Sequence, residues 1–454
     1  MNKNTLTIRS MTSYLKLLTI VALAVSCTGQ SGIKRIWAVD DGEKIRKDDI
    51  SNPLATDPDN AVWANGTINL FGARNEIVAF QLIIEGDNKG ASQVNVSVSD
   101  LVNGESVIPG SASGPSDPFD YRGRFVELFT EHYLNMEKRS PPLWFFSETA
   151  LPSAYHTGWV PDCLIPFSAA PGNGGAPFSI EAGKNQGVWV DILIPEDATA
   201  GDYSGMAIIS VAESVFKKIP IYIKVYDFTL PDSTHISNMF GYYPRFIAQR
   251  HGVESDSEAY YALDLKYQQM AHRHRFDLVT GVDNLDDLNS YYNGYRPGMG
   301  AVVSDADAVE FRVMPWIVWK YDIDQYFYWS TTFWTNLNVF VNPLTYEDRI
   351  NGDGTFLYPG QDNLFPEESR NLEGPLSSIR AKNWRRGAQD FEYLWLAKIM
   401  SLEAEVQTIV NNCIPTAVWE AKDQNDISWS DRGFKFEEYR KQLAELISSA
   451  PEKN

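Results

Sequence analysis

The chain has 454 residues, enough for two or three domains with sizeable cores. Its 59 Asp and Glu against 39 Lys and Arg leave a formal charge of −20, which excludes an unassisted nucleic-acid binder because phosphate contacts need a basic excess. With 44% apolar and 22% charged residues it is neither disordered nor a multi-span membrane protein, and its 13 Trp, 22 Tyr and 23 Phe suit a carbohydrate-handling surface or large β-rich cores.

The N-terminus reads as an export signal. Lys3, Arg9 and Lys16 precede an apolar run from Leu17 to Ser26 that is too short to span a bilayer. The run ends in small residues, and Ala24-Val25-Ser26-Cys27 resembles the lipobox of bacterial lipoproteins, in which the cysteine is lipidated and becomes the mature N-terminus. Thr28 rather than Asp follows Cys27, which favours outer-membrane retention, facing the periplasm or the surface. Membrane contact is expected only through this anchor. Cys163 and Cys413 remain, too far apart for a disulfide framework and read as buried fillers. No Cys or His spacing suits a metal, so neither metal nor cofactor is expected.

Residues 1–26 are thus a signal peptide and 27–32 a tether. From 33 to 231 short β segments alternate with Gly, Pro, Asn and Asp turns, the pattern of an antiparallel β-sandwich. Strands are expected at 67–71, 77–84, 94–98, 187–194 and 219–226. Leu230-Pro231-Asp232 ends the domain. From 232 to 403 the period changes. Helices are expected from Ser257 to Arg275, from Ala306 to Tyr321 with Ser304 and Asp305 as caps, and from Ser377 to Glu403. Strands are expected at 276–280, 290–293, 325–329 and 355–359. Strand–helix alternation suggests βα units. A closed (β/α)8 barrel takes about 250 residues, so an incomplete barrel is expected. It is cut short near 281–290, where one strand runs into the next without the crossover that parallel neighbours require. Residues 404–454 form a C-terminal helical region, with a helix from Phe434 to Ser449, and a polar tail.

Several motifs together resemble glycoside hydrolase family 123 and the related domain of unknown function 4091. In the sandwich these are Phe71-Gly-Ala-Arg-Asn-Glu76, the Pro195–Gly205 turn and Val225-Tyr-Asp-Phe-Thr-Leu-Pro-Asp232. In the second half they are Tyr292-Asn-Gly-Tyr-Arg-Pro297, Trp316-Ile-Val-Trp-Lys-Tyr321, Gly352-Asp-Gly-Thr-Phe-Leu-Tyr-Pro-Gly360 and Arg386-Gly-Ala-Gln-Asp-Phe-Glu-Tyr-Leu394. The resemblance implies a β-sandwich joined to a (β/α)8 barrel, and retaining hydrolysis of terminal β-N-acetylhexosaminides of the N-acetylgalactosamine type. The expected partner is therefore a glycan bearing N-acetylhexosamine. In such enzymes the sugar's own acetamide oxygen attacks the anomeric carbon, an Asp orients the acetamide and the adjacent Glu protonates the leaving oxygen.

This sequence contains no Asp-Glu dipeptide. The pair would belong between 280 and 292, where the chain is short of strands, so we read an internal deletion there and carry over no catalytic residue. Asp283, Asp286, Asp287 and Glu373 read as solvated loop acids. For substrate binding, Tyr292 and Asn293 at one strand end, Trp329 and Trp334 at another, and Tyr358 at a third offer hydroxyls, an amide and stacking faces for a sugar. Trp316 and Trp319 read as core, Arg380 as a residue that orients a loop carboxylate, and His272 and His274 as solvated helix-end residues. Two function classes follow: a glycosidase, or a carbohydrate-binding or degenerate relative without catalysis. A properly placed carboxylate pair separates them.

Overall fold

The structure, a computed structural model, describes residues 32–141, 155–280, 290–291, 296, 298–346, 350–422 and 426–450. Cys27, Tyr292, Asn293, Asp283, Asp286 and Asp287 lie outside the described residues.

Two sheets face each other in the first half. One has the order Ile33–Asp40, Glu76–Gly86, Asn185–Ile194, Val126–Met136, Gly158–Pro166, and every pair is antiparallel. The other runs Phe178–Ile180, Ala91–Val98, Gly201–Val211, Ser214–Thr229, Thr67–Arg74, Trp63–Ala64. It departs from the expected antiparallel pattern in one place, because Ser214–Thr229 pairs with Thr67–Arg74 in parallel. Alternation explains the core between the sheets: Val78, Phe80, Leu82 and Ile84 meet Ile219, Ile221, Ile223 and Val225. Strand Glu76–Gly86 is buried along its whole length. Its other face, with Ala79, Gln81 and Ile83, is covered by the second half and by the 41–62 loop. Its sequence is accordingly a continuous apolar run rather than an alternation.

The second half holds a parallel sheet in the order Leu278–Val279, Asn238–Gly241, Gln325–Tyr328, Ser290–Tyr291. Among the described residues no closed barrel forms. Leu278–Val279 and Ser290–Tyr291, separated in sequence by only 280–289, stand at opposite edges of this sheet. The expected strand at 355–359 is not part of it, since Tyr358–Pro359 pairs antiparallel with Pro375–Leu376 in a separate two-stranded ladder.

Helices α1 (Pro244–His251), α2 (Glu258–Arg273), α3 (Val309–Lys320), α4 (Ile379–Ile399), α5 (Glu403–Cys413) and α6 (Gly433–Ser449) complete the fold. Ser257 and Ser378 cap α2 and α4, their hydroxyls accepting from Tyr260 N and Ala381 N. Ser304 and Asp305 do not cap α3. Lys44 Nζ donates to Ser304 O instead, and the Asp305 carboxylate accepts from the backbone N–H and hydroxyl of Ser140. His274 is buried rather than solvated, and burial holds it neutral, well below the usual imidazole range. His272 is exposed as expected.

Helix α4 carries the principal departure from sequence reasoning. All its charged residues but Lys398 are sunk against the outer face of the first sheet and against α3 and α6. Asp191 on strand Asn185–Ile194 accepts from Lys382 at 2.7 Å, from both terminal nitrogens of Arg385 at 2.8 and 2.6 Å, and from Trp189 Nε1. Glu76 accepts from Arg386, Arg440, the Tyr393 hydroxyl and Ala73 N. Arg312 of α3 forms a two-pronged pair with Asp390, and Glu392 accepts from Thr234 and His235 in the linker. Burial alone would raise the pKa of Asp191, but Arg385 and Lys382 outweigh it and hold the carboxyl well below its ordinary value.

Glu131 is the opposite case. Its carboxyl is buried, neither oxygen has a partner among the described residues, and burial raises its pKa to about 8. Gly187 lies directly against it, and a Cβ there would lie 2.0 Å from Glu131 Oε2 and force the carboxyl to move.

Two outcomes are expected. Asp191→Ala strands two buried cations and lowers the unfolding free energy by about 3–5 kcal/mol, measured by urea denaturation. Glu131 keeps its proton in the fold up to about pH 8, whereas the unfolded chain releases it in the usual carboxylate range, so its contribution to stability falls as pH rises between those limits. Relative to wild type, Glu131→Gln therefore gains stability from pH 5 to pH 8, at up to about 1.4 kcal/mol per pH unit. A constant difference across that range contradicts the assignment.

Candidate functional site

Strands Asn238–Gly241 and Gln325–Tyr328 lie side by side at the centre of the parallel sheet. Ligands of open parallel sheets bind beyond the C-terminal strand ends, in the crevice where the connections part to either side. Here the two ends are stitched together: Thr331 N donates to Gly241 O at 2.7 Å and Tyr243 N to Thr332 Oγ1 at 2.9 Å. Only glycine fits at 241, because a Cβ there would meet Trp329 O at 2.1 Å.

Tyr243, Phe246, Trp329 and Phe333 form an aromatic cluster beyond these ends, with ring centroids 4.9–6.5 Å apart. Beside it sits Asp353, presented on a turn whose two glycines, Gly352 and Gly354, have φ of 74° and 79°. Asp353 Oδ1 accepts from Trp329 Nε1 at 2.9 Å and from the Tyr328 hydroxyl at 3.1 Å. Asp353 is only 5% exposed, and burial raises its pKa against the opposing pull of those two hydrogen bonds. It is thus a carboxyl already oriented on one oxygen.

The turn is held from below. Arg380, in the first turn of α4, donates to Gly352 O at 2.7 Å, to Thr355 O and to Val302 O, while Asp162 receives its Nε and Nη2 at 2.9 and 2.7 Å. The carboxylate that Arg380 engages is therefore on strand Gly158–Pro166, and what it orients is the backbone on either side of Asp353. Ser140 adds a second brace, its hydroxyl accepting from Asn351 N and donating to Asp305.

Of the described residues expected to bind a sugar, Trp329 is at this site, while Tyr292 and Asn293 lie outside the described residues. Trp334 is fully buried, its indole N–H bonded to Leu357 O, and Tyr358 is buried with its hydroxyl on Asp162 at 2.6 Å. Both are parts of the core. Trp316 is core as expected, its indole N–H on Asp390, and Trp319 is half-buried against Phe391. Glu373 is an exposed loop acid. Asp353 and Tyr243 were not singled out from sequence. The Gly-Asp-Gly turn was the available signal for the first; the four-residue strand before Tyr243 is too short to declare a period. Among the described residues no group of three or more His, Cys, Asp or Glu is disposed to hold a metal ion. A groove of about 750 Å³ between the 117–122 loop and α2 includes none of these strand-end residues.

Residues 259–397 match the family model described as glycoside hydrolase 123, catalytic domain, and the resemblance read from the motifs is borne out over that region. Among solved structures, a family 123 glycoside hydrolase from Clostridium perfringens, studied for glycolipid glycan hydrolysis, superposes with a TM-score of 0.60. It is 11% identical and the match covers 91% of this chain and 98% of that one, a likeness of fold. A structure of AvmM, which catalyses macrocyclization in alchivemycin A biosynthesis, matches at 10% identity over 35% of this chain and 82% of that chain, with a TM-score of 0.18. No curated protein matches.

Proposed function

We propose that the chain is a glycoside hydrolase-like protein of glycan breakdown that engages a terminal β-N-acetylhexosamine, of the N-acetylgalactosamine type, at the C-terminal ends of its central parallel strands. The observation that carries this reading is Asp353, a buried carboxyl with one oxygen engaged by Trp329 and Tyr328, set beside an aromatic wall in a region of family 123 type. A pyranose ring bound there lays its apolar face on Trp329. Its acetamide N–H or a ring hydroxyl donates to the Asp353 carboxyl. In substrate-assisted hydrolysis that contact orients the acetamide, whose oxygen attacks the anomeric carbon, while a second carboxyl protonates the leaving oxygen.

A second reading is binding without cleavage. It is favoured by one sequence fact, the absence of any Asp-Glu dipeptide. Asp353 supplies one carboxyl function and the reaction requires two.

Calorimetric titration with methyl β-N-acetylgalactosaminide is expected to show binding that Trp329→Ala and Asp353→Asn each weaken at least tenfold, with far-UV circular dichroism unchanged. Equal binding by both variants, or none by wild type, overturns the reading. A chromogenic β-N-acetylgalactosaminide separates the two forms of it: turnover lost in Asp353→Asn supports hydrolysis, and binding without turnover supports the second.

We also propose that the protein is exported and lipid-anchored through Cys27, on the strength of the Ala24–Cys27 motif behind an apolar run. In a bacterial host the Cys27→Ser protein is expected to leave the membrane fraction; unchanged membrane association contradicts the anchor.

A further inference from the structure

A groove of about 500 Å³ opens where strands Val126–Met136 and Asn185–Ile194 of the first sheet part from Phe178–Ile180 of the second. Its volume lies in the range of small-ligand sites. Thr130, His132 and Gln186 lie on one face of the first sheet, because side chains two apart share a face and Thr130 stands opposite Val188 in the ladder. All three line the groove, together with Arg370 and, at its mouth, Trp159.

The polar groups of this lining are incompletely used. Thr130 is 6% exposed, yet its hydroxyl has no partner among the described residues. Arg370 is 8% exposed, and its Nε–H is likewise unpartnered. Gln186 donates through its amide nitrogen to Glu131 O and Gly187 O, which leaves its side-chain oxygen as an acceptor. His132 faces Phe340 O through Nε2 at 2.7 Å. A carbonyl only accepts, so Nε2 carries the proton and Nδ1 offers a lone pair. Buried hydroxyl and guanidinium N–H groups without partners cost free energy, which a ligand able to donate and accept would recover.

The chemistry selects the ligand. The two cations of the lining are already neutralised, Lys47 by Glu181 at 2.6 Å and Arg370 by Glu368 at 3.3 Å, so neither is left for an anion. What remains is one donor, one hydroxyl, two acceptors, the unpartnered carboxyl of Glu131, which also lines the groove and which burial keeps protonated, and the indole of Trp159, which is 42% exposed although Lys47 lies 5.4 Å from its ring. A mixed donor–acceptor set beside a flat apolar face matches a neutral pyranose, whose hydroxyls donate and accept and whose C–H face stacks on an aromatic ring. We propose that this groove is a second carbohydrate site, on the sandwich, which takes a neutral saccharide and shares no residue with the Asp353 site.

The test uses calorimetry on the full mature chain with a neutral tetrasaccharide ending in β-N-acetylgalactosamine, and with the same glycan carrying one sialic acid. Trp159→Ala is expected to remove one equivalent of neutral glycan bound, or to weaken it at least tenfold, and Thr130→Val to weaken it severalfold. Neither change should alter circular dichroism or the equivalent abolished by Trp329→Ala. If the Asp353 site binds no sugar, wild type still takes one equivalent and Trp159→Ala abolishes it, so the two readings fail separately. Unchanged binding in Trp159→Ala, or a preference of the Trp159-dependent site for the sialylated glycan, overturns the proposal.

Discussion

The structure depends on a seam of buried charge. Helix α4 presents Arg380, Lys382, Arg385, Arg386, Asp390 and Glu392 to the protein interior, and each finds an oppositely charged or hydrogen-bonding partner on another element. Net gain from such pairs over an apolar interface is small, because desolvating both partners offsets most of their attraction. Breaking one pair is another matter, since the remaining charge is stranded where water cannot reach it. The seam therefore acts as a specification: it allows one docking of the sandwich on the second half and penalises others.

That specification extends to the strand ends. The guanidinium of Arg380 joins Asp162 of the sandwich to the carbonyls of Gly352 and Thr355, so the position of Asp353 is set by a contact that crosses the two halves. Ser140 and Asp305 make a second such crossing. The sandwich is thus part of the site's scaffold. Among the described residues the parallel sheet is open and four-stranded, without the mutual bracing of a closed barrel, and these polar anchors supply fixation to the strand ends.

The sandwich was legible in sequence because its strands obey period two between turn residues, as in Ile219-Pro-Ile-Tyr-Ile-Lys-Val-Tyr226, and because the sheet-to-sheet core follows from that alternation. The lack of a closed barrel among the described residues was legible from arithmetic and from the need for a crossover. The polar character of α4 was not. A helix with Arg, Lys, Asn and Asp on most faces reads as solvated on its polar side, and nothing local reveals that Asp191 and Glu76, some two to three hundred residues away, will cover it. The same limit explains Trp334 and Tyr358. A strand-end aromatic looks identical whether it meets a sugar or a backbone carbonyl, and only the tertiary partners, Leu357 O and Asp162, decide. Asp353 was visible as part of a Gly-Asp-Gly turn, but its burial and its pairing with Trp329 come from the fold.

Amide hydrogen exchange in wild type and Asp191→Ala tests most directly whether the seam fixes the site. If it does, the substitution lowers protection at 352–357 together with that of strand Asn185–Ile194 and the first turns of α4, although Asp191 touches none of the residues at 352–357. Protection at 352–357 that stays at the wild-type level while the strand and helix loosen would contradict the account, and would mean that the strand-end site is held by the second half alone.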